Sequence, residues 1–289
     1  MTAGTLTLVA TPIGNLGDFS PRAAESLTRA EIIACEDTRV TRKLLTLTGT
    51  STGARLVAYH DHNGAKMRPW LLQQLAAGKR VVLVSDAGTP LISDPGYKLV
   101  AACGEQDIPV LSVPGPSAVL AALAVSGLPT DQFMFAGFLA GTTSARRAQI
   151  TELATLTATT IWFETPSRLA KSLADIADIL GPREVVVARE LTKLHEEVIR
   201  GTGDELAARF AAGKPPKGEI VLLVAGAPRD AGEIDEATLT AMLRAEMDGQ
   251  RLRDAVRAVV EATGLPRNRV YRTALKIDGE DRSDGPRTG

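Results

Sequence analysis

The run RVVLVSDAGTP, Arg80–Pro90, decides how this chain is read. Arg80–Ser85 is a nearly continuous apolar strand, and Asp86-Ala87-Gly88-Thr89-Pro90 ends it with small, turn-forming residues around one carboxylate. A strand that is apolar on successive residues is buried on both faces, the habit of sheets covered by helices on each side. The pattern repeats in both directions. Upstream, Thr5–Ala10 ends at Thr11-Pro12 and a Gly-bearing turn, and Ser20-Pro21 then caps a helix that runs to Ala30. Glu31–Cys35 and Pro109–Val113 are further strands, the second ending at Pro114-Gly115-Pro116-Ser117. The pattern resets around 113–125 and resumes with strands at Met134–Gly137, Thr159–Glu164, Val185–Glu190 and Glu219–Ala225. Helices at Ala145–Leu156 and Leu169–Leu180 alternate with them. From about 231 the strands stop, and three short amphipathic helices are expected at Glu236–Glu246, Leu252–Thr263 and Arg267–Lys276. Gly264-Leu265-Pro266 would form the turn between the last two, and a disordered tail would follow Ile277. The expected organisation is an α/β domain at 1–115, a second α/β domain at 116–230 and a helical module at 231–289.

Composition narrows the function. The 289 residues carry 33 Lys+Arg against 34 Asp+Glu, so any surface for nucleic acid must be local. One such place is the segment 251–276, where Arg251, Arg253, Arg257, Arg267, Arg269, Arg272 and Lys276 outweigh Asp254 and Glu261 for a net +5. A helix, short turn and second helix of this charge is a common nucleic-acid-binding arrangement; a solvated helical cap fits equally well. Cys35 and Cys103 make neither a disulfide framework nor a metal site, and no apolar run is long enough to span a bilayer. A cytoplasmic, non-membrane protein is expected.

Ligands of open α/β sheets collect at the carboxyl ends of the strands. Here those ends carry Pro12–Leu16, Asp86–Pro90, Pro114–Ser117, Glu164–Arg168 and Glu190–Glu197. Five loops that join small residues to a polar one favour a shared pocket over five unrelated turns. Missing from the chain are a phosphate-binding G-x-x-x-x-G-K-[ST], a G-x-G-x-x-G after the first strand, H-E-x-x-H, paired C-x-x-C and G-x-S-x-G. No metal is expected, and a group-transfer enzyme with an organic donor remains. Three charged clusters stand beside the pocket loops. Glu36-Asp37-Thr38-Arg39-Val40-Thr41-Arg42-Lys43 offers Arg39, Arg42 and Lys43 to a phosphodiester backbone, or is a capped helix start. His60 and His62 in Tyr59–Asn63 are expected to point the same way on a strand, where a metal is conceivable but lacks a third ligand, and Lys193-Leu194-His195-Glu196-Glu197 is a charge run that structural ion pairs also explain.

These residues resemble a known family. VATPIGNLGD (9–18), CEDTRVTRKLL (35–45), HDHN (60–63) and VSDAGTPLISDPGY (84–97) are similar to the bacterial ribosomal RNA small subunit methyltransferase I family. So are PGPSAVLAALAVSGLPTDQFMFAGFL (114–139), FETPSRL (163–169), RELTKLHEEV (189–198), KGEIVLLV (217–224) and, near the C-terminus, 252–277. The resemblance implies a tetrapyrrole-methylase-type fold, with two α/β subdomains and S-adenosylmethionine in the cleft between them. It further implies a homodimer that methylates the 2′-oxygen of a cytidine in the decoding region of 16S ribosomal RNA, in the 30S subunit. By position it assigns Pro12, Ile13, Asp86, Ala87, Gly88, Thr89, Ser117 and Ala118 to the donor site, with Glu164, Leu191 and Leu223 on the side of the second subdomain. Thr165 and Ser167 depart from the Ser and His expected there. RNA contacts would fall to Arg39, Arg42, Lys43, Arg168, Arg267, Arg269 and Arg272. A ribose hydroxyl is a weak acid, so a base or cation should assist; Asp37, His60 and Lys193 are the candidates. Two rival readings are a small-molecule methyltransferase of the same fold and a non-catalytic RNA-binding assembly factor.

Overall fold

A computed structural model describes residues 4–228, 236–248, 250–263 and 267–283 of the chain. It separates into two compact units, Met1–Ala227 and Pro228–Gly289. The larger unit begins with β1 (Thr5–Val9), α1 (Pro21–Arg29), β2 (Ile32–Cys35), α2 (Thr38–Leu47), β3 (Arg55–Ala58), α3 (Gly64–Ala76), β4 (Arg80–Val84), α4 (Tyr97–Gly104) and β5 (Val110–Val113). The strands form one parallel sheet in the order β3-β2-β4-β1-β5. Its two faces explain the continuous apolar runs. Val81 and Leu83 enter one core with Leu6, Ala34 and Leu99, while Val82 and Val84 enter the other with Val9, Ile33 and Leu27. Successive side chains of a strand point to opposite faces, so a sheet covered twice needs apolar residues at every position. Ser20 caps α1 as its sequence foretells, its Oγ accepting the Ala23 amide at 3.1 Å.

Helix α5 (Ala118–Ser126) leaves the first sheet and packs on the second. Val119, Ala122 and Leu123 share a core with Ile161, Val186 and Leu223, and Ile13 from the loop after β1 joins them. Arg200 Nε donates to the Ser126 carbonyl at 2.7 Å and its guanidinium also reaches the Val125 carbonyl, so a cation holds the negative end of this helix. The second sheet contains β6 (Phe133–Phe138), β7 (Thr159–Glu164), β8 (Glu184–Arg189), β9 (Glu197–Thr202) and β10 (Ile220–Val224). Helices α6 (Thr143–Glu152), α7 (Leu169–Leu180) and α8 (Gly203–Ala211) connect them. The order is β6-β7-β10-β8-β9, with β6 and β7 parallel and the other pairings antiparallel.

Two strands have no counterpart in the sequence reading. β9 buries only Ile199, so its apolar signal is thin, and β3 is only four residues long. β3 also ends before the histidines. Asn63 Oδ1 accepts the His60 amide at 2.9 Å and its side-chain amide donates to the Ala58 carbonyl, which closes 60–63 into a turn. His60 and His62 are therefore not strand neighbours facing one way.

The smaller unit is α9 (Glu236–Met247), α10 (Leu252–Thr263) and α11 (Arg267–Ser283) around Leu239, Leu243, Val256, Val259, Val270, Ala274 and Ile277. The expected turn Gly264-Leu265-Pro266 lies outside the described residues. α11 continues beyond Ile277, where a disordered tail was expected, as far as Ser283; residues 284–289 lie outside the described ones.

Candidate active site

Three loops at the carboxyl edge of the first sheet are tied together. Thr11 and Gly88 exchange backbone hydrogen bonds of 2.9 and 3.0 Å, joining the loops after β1 and β4. Thr11 Oγ1 donates to the Ser85 carbonyl at 3.2 Å, and Thr89 Oγ1 donates to the Pro116 carbonyl at 3.0 Å, which adds the loop after β5. Gly88 is required here. Its φ is +80°, and a Cβ would stand 3.3 Å from Ile13 Cγ2. The small residues read in the sequence as turn formers thus let three backbones approach one another.

The loops and the second sheet enclose a cavity of about 360 Å³. Ile13, Asp86, Ala87, Gly88, Thr89, Ser117, Ala118, Glu164 and Leu191 all line it, joined by Phe138, Phe163, Gly218 and Val221. Of the residues assigned to a donor site, Pro12 and Leu223 are not in this lining. Leu223 is fully buried in the core beneath, and Val221, two residues back on the same strand, reaches the wall instead. The N-terminus of α5 opens on the cavity at Ser117 and Ala118, bringing first-turn amides and the positive end of the helix dipole. Non-glycine residues with left-handed backbone flank it on both sides. They are Leu91 (φ 75°) and Ser93 (φ 63°) after β4, and Glu190 (φ 52°) and Thr192 (φ 64°) after β8. Such conformations cost about 1–3 kcal/mol each and collect at functional sites.

Carboxylates in and beside the cavity differ in state. Burial pushes the Asp86 carboxyl above its ordinary range, while the Asp37 amide, donating to Asp86 Oδ1 at 3.1 Å, pulls the other way. Glu36 is also raised, first by burial and then by Asp86 and Asp61. Asp94 is pushed furthest, to about 6, by burial and by Glu36, with Ser85 opposing. Glu164 is spoken for. Its Oε1 accepts from the Thr165 amide at 2.6 Å and from Arg168 Nε at 2.9 Å, and its Oε2 accepts from the Ser172 hydroxyl. It lines the cavity as a saturated anchor, not as a free acceptor.

Residues 5–207 match the family model described as Tetrapyrrole (Corrin/Porphyrin) Methylases, and residues 233–278 match the one described as RsmI C-terminal HTH domain. The chain is 46% identical over 280 residues to the ribosomal RNA small subunit methyltransferase I of Synechocystis sp., covering 96% of this chain and 99% of that protein. It is also 46% identical to the protein of the same name from Mesorhizobium japonicum, covering 97% and 95%. The chain belongs to the ribosomal RNA small subunit methyltransferase I family. Among solved structures, the uroporphyrin-III C-methyltransferase of Thermus thermophilus complexed with S-adenyl homocysteine superimposes with a TM-score of 0.52. At 18% identity, covering 76% of this chain and 96% of that one, it is a likeness of fold.

Within this family member, none of the three residues read as proton acceptor or cation for the hydroxyl lines this cavity. Asp37 caps α2 and is gripped by Arg39, whose guanidinium lies 2.6 Å from Oδ2, and this pairing holds its carboxyl down at about 2. So acidic a carboxyl is a poor base at neutral pH. Lys193 is paired with Glu190 at 2.8 Å and Glu219 at 3.0 Å, and its stem packs where a Cβ on Gly14 would sit. It bridges the carboxylates of Glu190 and Glu219, the second of which lines the cavity. His60 lines a separate, neighbouring cavity. Arg42 and Lys43 are exposed on α2 beside the Asp37-bound Arg39, and Arg168 is held 2.7 Å from the buried Glu164. On α11, Arg272 is exposed and Arg269 half-buried; the side chain of Arg267 lies outside what the structure describes. Asp94, Phe138 and Phe163 line the cavity without having been singled out in the sequence. A signal for Asp94 stands in the run SDAGTPLISDPG, whose second acidic residue repeats the Asp-and-Gly chemistry of the first.

Proposed function

We propose that this chain transfers the methyl group of S-adenosylmethionine to the ribose 2′-hydroxyl of a cytidine in the decoding region of 16S ribosomal RNA, within the 30S subunit. The observation that carries the reading is one cavity built jointly by the loops after β1, β4 and β5 and by the second sheet, in a chain of this family. Its residues suit the donor. Ile13, Phe163 and Leu191 offer apolar walls to a nucleoside, the α5 N-terminus suits a carboxylate, and Asp86 suits hydroxyl or ammonium groups. That a protein of the same fold is described with S-adenyl homocysteine supports the choice. A bound sulfonium supplies an electrophilic methyl; the protein supplies alignment and removal of a proton. Asp86 orients the donor, with one oxygen already fixed by the Asp37 amide.

RNA contacts fall to the exposed cations of α2, to Arg168 and to the basic helices of the smaller unit. Changing Arg267, Arg269 and Arg272 together to alanine is expected to shallow the slope of log affinity for 30S subunits against log salt by about two units. Donor affinity should not change. An unaltered slope would make these helices a structural cap. The protein acts in the cytoplasm as a homodimer in this reading. Support for a second copy comes from β5 and β6, each the edge of its sheet, where Leu111, Phe133 and Met134 expose apolar side chains.

The test is transfer of labelled methyl from S-adenosylmethionine by the purified chain, offered either 30S subunits or a porphyrinoid. Label in RNA alone is expected. Label in the porphyrinoid alone would establish the small-molecule reading, and a chain that binds no donor would be an assembly factor.

A further inference from the structure

A second cavity, of about 280 Å³, adjoins the first. Among the described residues, Asp94 is the one that lines both. We propose that Asp94 accepts the proton of the attacked hydroxyl and that this second cavity holds the ribonucleotide that carries it, an inference that rests on the methyl-transfer reading above.

The placement of Asp94 is built, not incidental. It sits between Ser93, held at φ 63°, and Pro95, followed by Gly96 at φ 138°. A Cβ on Gly96 would stand 2.7 Å from Leu83 Cδ2 and 2.9 Å from Leu91 Cδ1, so only glycine lets the loop close onto the core here. The second cavity has the chemistry of a nucleotide site. Tyr97, 72% exposed at its wall, offers an aromatic face for stacking. Arg68 and Lys98 also line it and form no ion pair among the described residues, leaving both free for phosphate. His60 also lines this cavity, and among the described residues its buried Nδ1 has no hydrogen-bond partner.

Charges that face Asp94 come from several elements. Glu36 after β2, Asp61 after β3 and Asp86 after β4 raise its carboxyl with burial, to about 6, and the Ser85 hydroxyl lowers it. His60, Arg68 and Lys98 share the second cavity with it. A carboxylate tuned there is ionised at neutral pH yet basic enough to take a proton in the transition state. The hydroxyl proton passes to an Asp94 carboxylate oxygen as the ribose oxygen bonds the methyl carbon. The carbon–sulfur bond breaks with its electron pair remaining on sulfur, and the neutral thioether leaves. Asp94 then releases the proton to water.

The experiment is single-turnover methylation of 30S subunits by the full chain across pH 5 to 8, with donor binding measured by calorimetry. The wild-type rate should rise tenfold per pH unit below about 6 and flatten above it. Asp94→Asn should lose at least a hundredfold in rate and lose that acid limb, with donor affinity within about threefold of wild type. Tyr97→Ala should raise the half-saturating 30S concentration about tenfold and leave donor affinity unchanged. A flat wild-type profile, which needs no variant to fold, would overturn the proposal, as would an Asp94→Asn protein that keeps a third of the rate. Wild-type protein that binds donor but never methylates 30S subunits would sink the methyl-transfer reading itself, a different failure.

Discussion

Asp86→Ala should lower methyl transfer about a hundredfold and still yield a folded protein. The carboxylate is half-buried at the end of β4, lines the cavity shared with the second sheet and spends one oxygen on the Asp37 amide at 3.1 Å. In the proposed reading its removal deletes the group that orients the donor, and it also removes the acceptor of the Asp37 amide. Misplacing a reacting group by about 1 Å costs roughly a hundredfold in rate. Loss of the single amide hydrogen bond should cost only about 1 kcal/mol of stability. Donor affinity and turnover, measured with far-ultraviolet circular dichroism as the folding control, check both parts. Wild-type turnover in a folded Asp86→Ala protein would remove Asp86 from the donor site.

Asp175→Ala carries the largest expected loss of stability. Arg146 on α6 is nearly enclosed, its side chain 3% exposed, and its guanidinium lies 2.6 Å from Asp175 Oδ2 on α7. Arg147 takes the other oxygen at 2.9 Å. Removing the carboxylate leaves a buried guanidinium without its counter-charge, which costs about 3–5 kcal/mol. The paired replacement Arg146→Met with Asp175→Leu should recover most of that, because apolar residues of similar volume need no desolvation. Denaturant midpoints of the three proteins make the comparison. A loss under about 1 kcal/mol for the single variant would show that Arg146 finds water on relaxation.

What the sequence disclosed follows from which forces are local. β4, β8 and β10 were legible because burial on two faces demands nearly unbroken Val, Leu and Ile, and β1, β2 and β7 because enough apolar residues remain in each short run. β9 was not, because Glu197–Thr202 is an edge strand with one buried residue, and its charges serve ion pairs with Arg189 and Arg209 that no periodicity foretells. The end of α11 was missed for another reason. Beyond Ile277 the apolar pattern stops and Gly279 intervenes, so no periodicity marks the helix as continuing. At the site, small residues in strand-end loops marked the cavity correctly, since close backbone approach requires them. The roles of Asp37 and Lys193 were not legible, because a carboxylate or an ammonium reads the same in sequence whether it is free or paired, and here Arg39, Glu190 and Glu219 occupy them. Asp94 left a signal in its Asp-Pro-Gly run, but its place at the cavity was not legible, because the left-handed backbones of Leu91 and Ser93 are not announced by their residue types.

Mass-spectrometric mapping of 16S RNA, after 30S subunits have been incubated with the purified chain and S-adenosylmethionine, addresses the whole account at once. One new methyl group is expected, on the ribose 2′-oxygen of a cytidine in the decoding region, and it should be absent from subunits treated with the Asp86→Ala protein. A methyl group on a base, or ribose methylation scattered outside the decoding region, would contradict it.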